Sequence, residues 1–217
     1  MTLTNILSGV LILLQLITIV LLRPAWKKSG AVYQPILLFM LAGLTLTVNQ
    51  VFGSGKIFGI HINADLHTLM AALFVTWQAR RWQVFERPVV YWTVISLFIV
   101  SWAAGWIFME KYNGNSSLFL IISSFGITLM AIEMINRNLP QSRVPFHRNT
   151  IFLFSVGLLF YYTLLSLVEL YSFSFSLSSP GSPFNTHYFD GTIRIFVQLL
   201  FIRSVLCIPA KDNYYSY

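Results

Sequence analysis

The sequence predicts an all-α integral membrane protein: one bundle of seven transmembrane helices, with the N-terminus outside and the C-terminus in the cytoplasm. Three observations predict it. Of 217 residues, 56% are hydrophobic and only 10% are charged, against about 25% charged in an ordinary soluble domain. The apolar residues fall into seven runs, each near the roughly 20 residues that cross a bilayer as a helix. The lysines and arginines between those runs alternate between rich and poor connections, as the positive-inside rule requires.

Taken in order, the spans cover 4–22, 34–53, 64–83, 88–109, 117–136, 150–173 and 190–208. The first lacks a basic leading segment and a small-residue cleavage site, so it reads as a retained helix and not a signal peptide. Pro24, Pro35, Pro88, Pro140 and Pro209 stand at or near span boundaries, where a missing N–H costs little. Trp26, Trp82, Trp92, Trp102 and Trp106 fall near the predicted interfaces and are expected to form an aromatic belt. The last outer connection, SFSFSLSSPGSPFNTHYFDG, has the Ser/Pro/Gly content of an exposed irregular segment. Residues 1–217 read as a single transmembrane domain with no repeat and no soluble output domain.

The charges set the orientation. The first connection carries Arg23, Lys27 and Lys28, the third Arg80, Arg81 and Arg87, the fifth Arg137, Arg143 and Arg148, and the tail Lys211. The second and fourth carry only Lys56 and Lys111. The rich side is cytoplasmic, which places the chain as a multi-pass protein of the cell membrane. The net charge of +7 therefore has the bilayer as its partner, not nucleic acid, for which a basic helix or stripe is missing. A single cysteine, Cys207, permits no intrachain disulfide and no cysteine metal cluster; it reads as a packed thiol.

Ionisable residues inside spans are costly and are candidates for function. Span seven holds Arg194, Gln198 and Arg203. The two arginines are nine residues apart, on opposite helix faces, so they have separate tasks, or both snorkel to an interface. Glu169 and Arg194 share a depth on sequential antiparallel helices, and an ion pair between them would spare each an unpaired charge in low dielectric. Glu133 and Arg203 share the inner third and form a second candidate pair. On the outer side, Asn49, Gln50, Asp65, His67, Tyr162, Glu169 and Arg194 are candidate ligand-binding residues of a pocket between helices. The simpler alternative is that the outer polar groups are solvated loop residues, with Asp65 and Asp190 capping helices. His61, Asp65, His67 and His187 match no metal-binding spacing, and no cofactor is expected.

Several chemistries are disfavoured. The last span has no lysine for a retinal Schiff base, and there is no HExxH helix for an intramembrane zinc hydrolase. TWQARRWQ closes span three and no NPxxY-like sequence follows, against a G-protein-coupled receptor.

Two stretches, HRNTIFLFSVGLLFYYTLLSLVELYSF and FDGTIRIFVQLLFIRSVLCIP, carry a resemblance. With the Gly157, Leu158, Leu159, Phe160, Tyr161 run and the long outer loop, they are similar to orphan bacterial seven-helix membrane sensor modules, in the style of the seven-helix sensor regions of histidine kinases. The resemblance covers the last third of the chain and the topology. It implies a non-enzymatic sensor or accessory subunit that binds an external or membrane-borne small ligand and acts through a separate cytoplasmic or membrane signalling protein. A small transporter or channel is the alternative, and a membrane enzyme subunit handling a lipid or quinone is the third.

Overall fold

The computed structural model describes residues 3–52, 60–109, 117–138, 140, 144–176 and 186–208. Among them lie seven α-helices: α1 Leu3–Ser29, α2 Gln34–Phe52, α3 Ile60–Arg81, α4 Pro88–Met109, α5 Ser117–Asn138, α6 Thr150–Ser176 and α7 Thr186–Leu206. No strand occurs among the described residues. Four helices contain stretches long and apolar enough to cross a membrane: Ile6–Pro24, Pro88–Gly105, Phe119–Asn138 and Thr150–Tyr171. Gln34–Val48 is apolar but shorter. In α3 and α7, polar and charged residues interrupt the apolar run; Thr76, Gln78, Gln198 and Ser204 are buried, whereas Arg80, Arg81 and Arg203 are exposed.

The helix ends follow the local chemistry. Pro88 opens α4 and Pro35 sits in the first turn of α2, where a proline loses no hydrogen bond. Pro24 instead lies inside α1, which runs five residues past it. Asn149 caps α6, its Oδ1 accepting the Phe152 N–H at 3.1 Å. Asn138 ends α5 by donating Nδ2 to the Met134 carbonyl at 2.9 Å. The expected caps do not form at Asp65 and Asp190: α3 and α7 begin earlier, which puts both aspartates inside helices. At the end of α3, Gln83 adopts φ 57°. Val84 N–H then reaches the Ala79 carbonyl and Gln83 N–H the Arg80 carbonyl, each at 3.0 Å. That is the paired bonding of a Schellman stop, made with glutamine at the position that favours glycine.

Six helices close a ring, α1–α2–α3–α5–α6–α7, and α7 packs back on α1. The remaining helix, α4, lies outside the ring on α3 and α5, and only 6% of its apolar stretch is buried. Several hydroxyls within the helices bond backward to carbonyls of their own helix. Thr76 Oγ1 donates to Ala72 O at 2.7 Å and Ser123 Oγ to Phe119 O at 2.7 Å, which satisfies them where no water is available.

Aromatic side chains fill the ring's centre. Phe39 of α2 meets Phe154 of α6 and Phe201 of α7 edge-on, with centroids 6.2 and 6.0 Å away. Phe154 and Phe201 lie 5.0 Å apart, and Trp82 closes on Phe154 at 5.6 Å. Trp82 is therefore a core residue, not part of an interfacial belt; Trp92 is exposed on α4. Gly157 makes the α6–α7 approach possible, because a Cβ there would stand 2.7 Å from Phe201.

Candidate functional site

A cavity of about 70 Å³ opens in the ring, on the side of the aromatic cluster toward the start of α1. Leu11 and Gln15 of α1 line it, with Phe39, Met40, Gly43, Leu46 and Thr47 of α2 and His67 of α3. Tyr161 and Tyr162 of α6 and Arg194, Val197, Gln198 and Phe201 of α7 complete the wall. Phe39 and Phe201 belong both to this lining and to the aromatic cluster, so the cluster forms the cavity floor. The volume admits a few waters or one small ligand.

The polar side chains are individually placed. Gln198 Nε2 donates to the Thr18 hydroxyl at 2.6 Å and lies 3.8 Å from the Met40 sulfur. The Thr18 hydroxyl in turn donates to the Leu14 carbonyl at 2.8 Å. Thr47 Oγ1 donates to the Gly43 carbonyl at 2.9 Å. Gln15 is 8% exposed, and its Oε1 has no hydrogen-bond partner among the described residues. Gly43 gives that amide its room: a Cβ there would stand 3.3 Å from Gln15 Nε2. His67 Nε2 is likewise buried without a partner among the described residues. The Arg194 guanidinium lies 5.8 Å from the centre of the Tyr161 ring, on whose face it can rest. Tyr162 is buried beside Tyr161, centroids 5.0 Å apart.

His67, Tyr162 and Arg194 of the sequence-predicted pocket thus line one cavity. Glu169 is not among the lining residues. It sits on α6 eight residues beyond Tyr161, about 12 Å along the axis. Asn49 and Gln50 fall on the last turns of α2 and Asp65 in the second turn of α3; their side chains, with those of His61, His187 and Asp190, lie outside the described residues. No group of three or more potential metal ligands occurs among the described residues.

The Glu133–Arg203 pairing is corrected. Glu133 is held by Arg137 one turn later on its own helix, and Arg137 also reaches Glu86 at 2.8 Å. Arg203 is exposed and makes no ion pair among the described residues. The physical reason is the ring order: α5 and α7 pack on α6 from different sides. The opposite-face expectation for Arg194 and Arg203 agrees with this arrangement, since one lines the cavity and the other points outward.

Gln15 and Thr47 line the cavity but lie outside the set that the sequence predicts. Gln15 had a visible signal, the one amide in the run GVLILLQLITIVLL. It lies mid-span, away from the helix ends and charged positions on which the sequence reading rests. The chain matches no protein-family model, no curated protein and no solved structure, so the cavity's own chemistry carries the functional conclusion.

Proposed function

We propose that this chain is a non-enzymatic, multi-pass protein of the cell membrane, with all seven helices spanning, the N-terminus outside and the C-terminus in the cytoplasm. It binds a small external or membrane-borne ligand in the ring cavity. It passes that event to a separate partner protein through its basic inner connections, as a sensor or accessory subunit. The observation that carries this proposal is a largely apolar cavity to which α3, α6 and α7 contribute polar side chains, among them His67, Tyr162 and Arg194, closed on one side by packed aromatic rings. Polar groups in a bilayer are retained where they serve a purpose, and a floored cavity suits capture better than passage. A Glu169–Arg194 ion pair belongs to the same proposal, as a brace at the mouth. A transporter, the alternative, would need Phe39, Phe154 and Phe201 to part.

The test is side-specific labelling. Leu46→Cys in a Cys207→Ser background, in sealed vesicles of known orientation, should react with a small impermeant methanethiosulfonate added outside. It should stay unreactive when the reagent is only inside. Reaction from both sides would favour the transporter, and reaction from neither would remove the binding site.

A further inference from the structure

Arg203 continues an outward stripe on α7. Phe196, Leu199 and Leu206 are 53, 51 and 57% exposed, and Arg203 is exposed among them. Spacings of three, four and three residues keep all four on one face, opposite the buried Val197, Phe201 and Val205. In a spanning α7 that face meets acyl chains, which offer a guanidinium nothing to bond. Arg203 stands three residues before the end of the helix at Leu206, so its side chain reaches the headgroup layer.

A second arginine stands at the same corner. Cys207, four residues after Arg203, has its Sγ 3.7 Å from the His147 carbonyl, and Ser204 donates to the Thr150 carbonyl at 2.9 Å. These contacts set the end of α7 against the short 3-10 turn Phe146–Arg148 that leads into α6, where Arg148 is exposed. Neither Arg148 nor Arg203 makes an ion pair among the described residues, while Glu86 and Glu133 are held by Arg137. Farther along the stripe, Phe196 packs edge-on against Phe160 of α6, centroids 6.1 Å apart, and both rings are about half exposed. An apolar track therefore leads away from the two cations along the outer side of the α6–α7 contact.

We propose that this corner binds an anionic phospholipid, with Arg203 and Arg148 on the headgroup phosphate and an acyl chain along Leu199, Phe196 and Phe160. A guanidinium matches phosphate with two parallel hydrogen bonds. Two cations exceed the charge of one phosphodiester, and a zwitterionic lipid would bring its own ammonium to the same place. The site lies on the lipid-facing side of α7, away from the cavity, and stands or falls separately from the cavity's ligand.

Native mass spectrometry of the purified full chain tests it, with phosphatidylglycerol and phosphatidylcholine of matched acyl chains in competition. Phosphatidylglycerol should be preferred, and Arg203→Gln and Arg148→Gln should each lower that preference roughly fivefold, the worth of one basic residue at an anionic lipid surface. Arg80→Gln, which removes another exposed arginine on α3, should leave it unchanged. Equal binding of the two lipids overturns the inference, as does an Arg80→Gln loss as large as that of Arg203→Gln. Glycerol phosphate should not displace the bound lipid; displacement at equal concentration would leave the acyl track without a role and overturn a lipid site. Displacement by a hexaglutamate peptide would assign the corner to an acidic protein segment instead.

Discussion

Gln198 on α7 donates its amide hydrogen to the hydroxyl of Thr18 on α1 across 2.6 Å, and the bond is buried. It joins residues 180 positions apart in the chain, at the seam that closes the ring. Interhelical hydrogen bonds in membranes contribute about 0.6 kcal/mol on average, with larger values reaching about 1.7. Thr18→Val alone leaves the Gln198 amide with only a distant sulfur. The double mutant Thr18→Val/Gln198→Leu should therefore be destabilised by less than the sum of the singles. Denaturant unfolding in detergent measures this. Additivity within about 0.5 kcal/mol would show that the two residues are not coupled.

Gly157 and Gly9 offer opposite outcomes from the same substitution. Gly157→Ala puts a Cβ 2.7 Å from a Phe201 ring carbon and should cost about 1–3 kcal/mol by overpacking. Phe201→Leu in the same chain should recover part of it. Gly9→Ala meets nothing within 4 Å and should be neutral or stabilising by up to about 1 kcal/mol. Equal effects on thermal stability at the two positions would contradict this packing.

The left-handed Gln83 makes a stabilising substitution available. Gln83→Gly removes the Cβ penalty at φ 57° while keeping the two bonds that stop α3. A gain of about 0.5–1 kcal/mol is expected, seen as a raised melting temperature. A loss would mean that the glutamine side chain contributes more than its backbone geometry costs.

Orientation is read by labelling Asn113→Cys and Ser142→Cys, each in the Cys207→Ser background. Asn113→Cys should react in intact cells and Ser142→Cys only after permeabilisation. The reverse pattern would invert the topology and move the cavity mouth to the cytoplasmic side.

The helices themselves were legible in the sequence because length and apolarity are local properties. Spans predicted at 88–109 and 117–136 became Pro88–Met109 and Ser117–Asn138. The polar residues His67, Tyr162 and Arg194 were also visible, since each breaks an apolar run. What the sequence does not contain is adjacency. The Glu133–Arg203 proposal required α5 to touch α7, whereas Arg137 on the same helix was a nearer partner. The Glu86–Arg137–Glu133 cluster that formed is largely exposed, with side-chain exposures of 76, 36 and 46%, and such surface pairs add little stability. Trp82 departs from the expected belt for a related reason. A tryptophan near a predicted interface can turn outward or inward, and here Phe154 receives it.

The seam between α1 and α7 has a consequence in time. A chain is made from its N-terminus onward, and α1 emerges long before α7. Until synthesis reaches Gln198, the face of α1 that bears Gln15 and Thr18 lacks its α7 neighbour. Without α7 the earlier helices form an open arc, with the cavity wall incomplete. The contact of α7 with α1 that closes the ring therefore also completes the cavity wall.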